Sequence, residues 1–136
     1  PAPPAAEAQG DLLARLALHP GVDVAAALSN LPGMEHRYEL LLHVFAEHHS
    51  EDARKLQAHL ARGDQRGAML VAHSLKGVAA TLGATELAAA ARALETRLRE
   101  EGAPPDAEAL RPLVAELERA LEPLVRLIRS AAAKPD

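Results

Sequence analysis

Apolar residues recur every three or four positions through most of the chain, which is the spacing of one helical face. No proline interrupts this pattern between Gly33 and Ala103, so the main helices are expected there. A first long helix is predicted from about Glu35 to Arg62, with Tyr38, Leu41, Leu42, Phe45, Leu56 and Leu60 on one stripe. Its weakest stretch is His48-His49-Ser50. Gly63 closes it and Asp64 can cap the next helix, about Gln65 to Leu82, which ends at Gly83. Along that helix Ala68, Val71, Ala72, Leu75, Val78, Ala79 and Leu82 share one direction, the signature of a core face. A third helix follows from about Thr85 to Glu101, with Leu87, Ala91, Leu94 and Leu98 in a/d repeat.

The turn Gly102-Ala103-Pro104-Pro105 then leads to Asp106, a good cap for a fourth helix. Its stripe is Leu110, Leu113, Leu117, Ala120 or Leu121, Leu124 and Ile128. Pro112 and Pro123 fall inside this stripe and must either shift the helix start or bend it. Upstream, Asp11 to Leu18 has the spacing of a short helix on Leu12, Leu13 and Leu16, stopped by His19-Pro20-Gly21. Asp23 can cap a second short helix through Ala25, Leu28 and Leu31, ended by Pro32-Gly33. No period-2 strand pattern competes. The expected fold is all-α, an antiparallel up-down four-helix bundle with one or two short N-terminal helices. Residues 1–20 read as linker or remnant carrying that short helix, 21–130 as the bundle domain and 131–136 as a tail.

Composition narrows the chemistry. A chain of 136 residues suits one domain, and the absence of cysteine removes disulfides, thiolate metal sites and a cysteine nucleophile. Tyr38 and Phe45 are its whole aromatic inventory, too little for base stacking. A net charge of -4 argues against binding a phosphate backbone. No apolar stretch approaches the roughly 20 residues of a membrane span, and no secretory leader is visible. The protein is expected in the cytoplasm. Seven histidines remain to be explained.

One of them stands out. Opposite the core face of the second long helix lie Arg66, Leu70, His73, Gly77, Ala80 and, just past its end, Ala84. A solvated face normally carries Lys, Glu and Gln, whereas this one is mostly small or apolar. Lys76 sits three residues beyond His73, to its side. Gly77 costs about 1 kcal/mol of helix stability relative to Ala, which suggests that something approaches closely there. An exposed imidazole in a smooth patch beside a cation suits reversible acceptance of a phosphoryl group. The chain has no phosphate-binding glycine loop or kinase signature, so the phosphate has to come from and go to other proteins.

The run Ala72-His73-Ser74-Leu75-Lys76-Gly77-Val78-Ala79-Ala80-Thr81-Leu82-Gly83 resembles the A-H-x-L-K-G-x-x-x-x-L-G signature of histidine-containing phosphotransfer (HPt) domains of multistep phosphorelays. The similarity extends from about Gly21 to Arg129. It implies an up-and-down four-helix bundle in which His73 is the phosphorylated residue, with Lys76 and Gly77 in the phosphoryl environment. It also implies that Glu95, at the position of the family's Gln or Glu, holds the ring through Nδ1 and leaves Nε2 as nucleophile. Such a carboxylate would also favour the unreactive imidazolium, less so if Glu95 is well hydrated. Met69, Leu70, Ala80 and Ala84 are the candidate docking residues for a partner.

The implied partners are response-regulator receiver domains and an upstream hybrid sensor kinase, with this domain as the kinase's C-terminal part or as a stand-alone shuttle. No cofactor is expected in this chain, and magnesium would belong to the receiver. Nucleic acid and direct membrane contact are not expected. A monomer is expected, tethered to the membrane only through a larger kinase. Two other readings compete: a non-catalytic helical adaptor using the Leu70–Ala84 face, and a metal-binding bundle using Glu47, His48, His49, Glu51 and Asp52. The metal reading lacks the Glu-x-x-His pairs of a carboxylate-bridged site, so metal residues are set at none.

Overall fold

The computed structural model describes residues 12–101 and 104–132, and no strand occurs among them. Two short helices come first: α1 over residues 12–17 and α2 at Val24–Ser29. Four longer rods follow, built from α3 (Glu35–His49) with α4 (Asp52–Ala61), then α5 (Gln65–Thr81), α6 (Thr85–Glu100) and α7 (Ala107–Ala132). Short turns make successive rods antiparallel. α5 packs on α4 and α6, and α7 returns against α6, α4 and α3, which closes the bundle.

Local chemistry sets these boundaries. The Asp23 carboxylate accepts from Ala26 N at 2.9 Å and that of Asp64 from Gly67 N at 2.9 Å, capping α2 and α5. Asp106 Oδ1 accepts from the amides of Glu108 and Ala109 at the start of α7. The chain leaves α5 through Gly83 at φ 76, a left-handed conformation that favours glycine.

The core is made of leucine and alanine. Leu56, Leu75, Leu87, Leu94, Leu98, Leu110 and Leu117 are fully buried around Ala68, Ala72, Ala79 and Ala91. Both aromatic residues are inside as well, and the buried Tyr38 hydroxyl donates to Leu82 O at 2.7 Å. That bond ties α3 to the end of α5.

Several sequence expectations change. The first rod is two helices, interrupted at Ser50-Glu51 in the stretch read as weakest. Asp52 turns inward there, 3 % exposed, with its Oδ2 2.7 Å from His49 Nδ1. The pair spans the interruption and gives the buried carboxylate a partner. Leu41 is exposed, not part of the stripe, and α2 buries Ala27 whereas Ala25 is exposed. Pro112 and Pro123 do not set the start of α7, which begins five residues before Pro112 and runs through both. Both prolines are exposed, so water can reach the carbonyls left without a donor one turn earlier.

The folded unit also begins before residue 21. Leu12 and Leu16 are completely buried in the common core, because α1 lays its apolar side on the bundle. Residues 1–11, 102–103 and 133–136 lie outside the described residues, and with them most of the expected linker and tail.

Candidate functional site

Small residues on the inner face of α5 make the site possible. Ala68, Ala72 and Ala79 let α6 approach closely, and His73 then projects from the outer edge of the seam, its side chain 65 % exposed. Glu95 sits across the seam on α6, between Leu94 and Leu98. Its side chain is only 3 % exposed.

The buried carboxylate is the hub. Its Oε2 lies 2.8 Å from His73 Nδ1 and 2.8 Å from an Arg99 guanidinium nitrogen, and its Oε1 lies 2.7 Å from Lys76 Nζ. The Lys76 hydrogen bond is the largest influence holding Glu95 below the usual carboxylate range. Burial opposes it, while the bond from His73 and the charges of Lys76 and Arg99 assist. Glu95 is therefore ionised near neutrality and can only accept, so the Nδ1–H of His73 donates. In the neutral ring this leaves the lone pair on Nε2, on a side chain that is largely exposed. Glu95 is thus not a hydrated surface charge but a buried carboxylate paired with two cations.

The glycines of the signature divide by environment. A Cβ at Gly77 would meet nothing within 4 Å, and the residue is exposed one turn beyond His73. A Cβ at Gly83 would come 2.5 Å from Asp23 O. Asp23 N donates to Gly83 O at 2.8 Å, so this glycine fits the α5–α6 turn against the segment before α2.

The expected docking residues do not form one surface. Leu70 is 65 % exposed and Ala80 is exposed, on the His73 side of α5. Met69 is half-buried against the core. Ala84 is 2 % exposed and has to be withdrawn from the docking face. Extending the helical wheel past Thr81 misplaced it, because the chain turns at Gly83 and Ala84 N bonds back to Ala79 O at 2.9 Å.

Sequence reasoning missed other features. Arg99 was not assigned a role, although its spacing of four from Glu95 is visible in the sequence. On α3, Leu40, Leu41 and Val44 are exposed, and Leu41 and Val44 line a shallow groove with Phe45, Val78, Thr81 and Leu82. A surplus of apolar residues beyond one stripe of α3 was the available signal. His59 was left without a role, yet its ring packs where a Cβ of Gly67 would stand and its Nδ1 lies 2.9 Å from Asp64 Oδ2. No group of three or more potential metal ligands occurs among the described residues, and Asp52 is engaged by His49 and Lys55.

Comparison with known proteins agrees with this architecture. The family model of the Hpt domain matches residues 40–126. No curated protein matches the chain. Among solved structures, histidine-containing phosphotransfer protein B (HptB) from Pseudomonas aeruginosa PAO1 is similar, with a TM-score of 0.68 and 28% sequence identity. The match covers 86% of this chain and 99% of that one.

Proposed function

Because this chain belongs to the Hpt domain family, we propose that it relays a phosphoryl group between receiver-domain aspartates through His73. The observation that carries this reading is the exposed His73 ring with Nδ1 held 2.8 Å from the buried Glu95 carboxylate. An imidazole so oriented offers Nε2 to an incoming acyl phosphate.

The chemistry follows from that orientation. Nε2 attacks phosphorus of a receiver's aspartyl phosphate, an N–P bond forms, and the P–O bond to the aspartate breaks. The aspartate leaves as carboxylate, and no proton has to move. The ring, still carrying Nδ1–H, gains positive charge, which Glu95 offsets through its existing hydrogen bond. Lys76, three residues beyond His73 and paired with Glu95, exchanges that contact for the phosphoryl oxygens. Gly77 and Ala80 leave room for the receiver's acidic site, and Leu70 supplies apolar contact beside it. The groove edge at Leu41 and Val44 extends that contact onto α3. Magnesium belongs to the receiver, and this chain has no kinase activity of its own.

In this reading the donor is the receiver of a hybrid sensor kinase. A stand-alone shuttle would use the same site. The domain acts as a monomer in the cytoplasm. No helix among the described residues is long and apolar enough to cross a membrane. The competing adaptor reading draws on the same exposed Leu70, Leu41 and Val44.

Transfer from a labelled phospho-receiver separates the two. The relay requires label to appear on this chain in an alkali-stable, acid-labile form and to return to receiver when unlabelled receiver is added. An adaptor would bind the receiver and acquire no label, which would overturn the relay.

A further inference from the structure

Arg99 shares Glu95 Oε2 with the Nδ1 of His73, both at 2.8 Å, while Lys76 occupies the other oxygen at 2.7 Å. From this convergence we infer that Arg99 is a positioning residue, which acts through Glu95 to let a carboxylate orient the ring without driving it to the imidazolium form. The inference deepens the phosphotransfer reading and rests on it for its functional meaning.

The reasoning is electrostatic. A buried carboxylate alone beside an imidazole favours the protonated ring, in which both nitrogens carry protons and neither can attack phosphorus. An amide at this position would avoid that conflict by carrying no charge. This chain has the carboxylate, and two cations placed on it do the same work. One carboxylate with two cations leaves the cluster net positive by one, so the cations offset the pull of Glu95 toward the imidazolium while the Nδ1–H bond persists. Lys76 is needed elsewhere once phosphate arrives. Arg99 projects from α6 one turn beyond Glu95 and can remain on it, which keeps the carboxylate compensated when Lys76 leaves.

Other charged groups lie on the same and neighbouring helices. From α6, Arg92 lies three residues before Glu95 on the same stripe. From α5 itself come Lys76 and, two turns earlier, Arg66. From α4, His59 faces the start of α5 at Gly67, with Asp64 beside it. Of these, Lys76 joins Arg99 in an ion pair with the carboxylate that holds His73.

The test is a ring-nitrogen NMR titration of His73 in the full chain, with acceptance of phosphate from phosphoramidate measured over the same pH range. Arg99→Ala should move the His73 midpoint and the acceptance profile upward by about half a pH unit or more, within the range expected for loss of one nearby charge. Arg99→Lys should restore both. In a Glu95→Gln background the same Arg99→Ala change should have a much smaller effect. An unmoved midpoint in Arg99→Ala, or an equal shift in the Gln background, would overturn the inference, the latter showing that Arg99 acts directly on the ring. The two readings fail separately: a wild-type chain that titrates as expected yet accepts no phosphate defeats the relay, whereas normal acceptance with an unmoved midpoint defeats only the role of Arg99.

Discussion

Glu95 Oε2 lies 2.8 Å from His73 Nδ1 across the α5–α6 seam, with the carboxylate buried and the ring in solvent. The burial fixes the acceptor and the exposure frees the opposite nitrogen. Glu95→Gln retains an oxygen that can accept from Nδ1–H, so phosphorylation should persist. Glu95→Ala removes the acceptor, and the rate of phosphate acceptance should fall about tenfold, the scale of losing an orienting contact. Because Glu95 is held below its ordinary range in the folded chain, its stabilising contribution is present above about pH 4.3 and is lost as pH falls through its folded value. Urea unfolding at pH 7 and in acid should therefore show wild type ahead of Glu95→Gln at pH 7, with the gap closing in acid.

The signature's two glycines should respond oppositely to alanine. Nothing blocks a Cβ at Gly77, so Gly77→Ala should raise stability by about 0.5–1 kcal/mol. Gly77→Gln should leave acceptance from phosphoramidate intact and slow transfer from a receiver. Gly83→Ala meets both a φ of 76 and the Asp23 carbonyl, and should cost roughly 2 kcal/mol or more. Thermal melts and the two transfer assays check these outcomes.

Tyr38 lies far along the chain from the signature but is bound to its last turn. Burial, with the nearby charge of Asp23 adding to it, pushes the phenol up to about 12, so it stays a neutral donor to Leu82 O. Tyr38→Phe leaves that carbonyl without its donor and should cost about 1–2 kcal/mol in denaturant unfolding.

The four long rods were legible because a Leu/Ala core repeats with helical period and Gly63 and Gly83 punctuate it. The interruption at Ser50-Glu51 was legible only as a weak stretch, since the break depends on Asp52 turning inward to His49 where an exposed carboxylate would have been the ordinary choice. Ala84 was misread because a helical wheel carries no information once the backbone leaves the helix. The signature pointed to His73, Lys76 and Gly77, and family resemblance pointed to Glu95. Arg99 joined them only when the register of α6 against α5 was known, because sequence spacing relates it to Glu95 and not to a histidine on another helix.

Glu39 is a buried carboxylate of the opposite kind. It is 6 % exposed and its Oε2 has no hydrogen-bond partner, and burial pushes it above its ordinary range, with His36 opposing. A raised value means that ionised Glu39 destabilises the fold, and that the penalty fades as pH falls through the folded value. Glu39→Met should therefore stabilise by about 1 kcal/mol at pH 7, with the advantage shrinking in acid. Unfolding curves at several pH values measure it.

The central claim is that His73 itself carries the phosphate. The direct measurement is radiolabel on this chain after incubation with a receiver, its kinase and labelled ATP, comparing wild type with His73→Gln of verified helical content. The account predicts acid-labile, alkali-stable label on wild type and none on His73→Gln. Label of equal amount and stability on His73→Gln would contradict it.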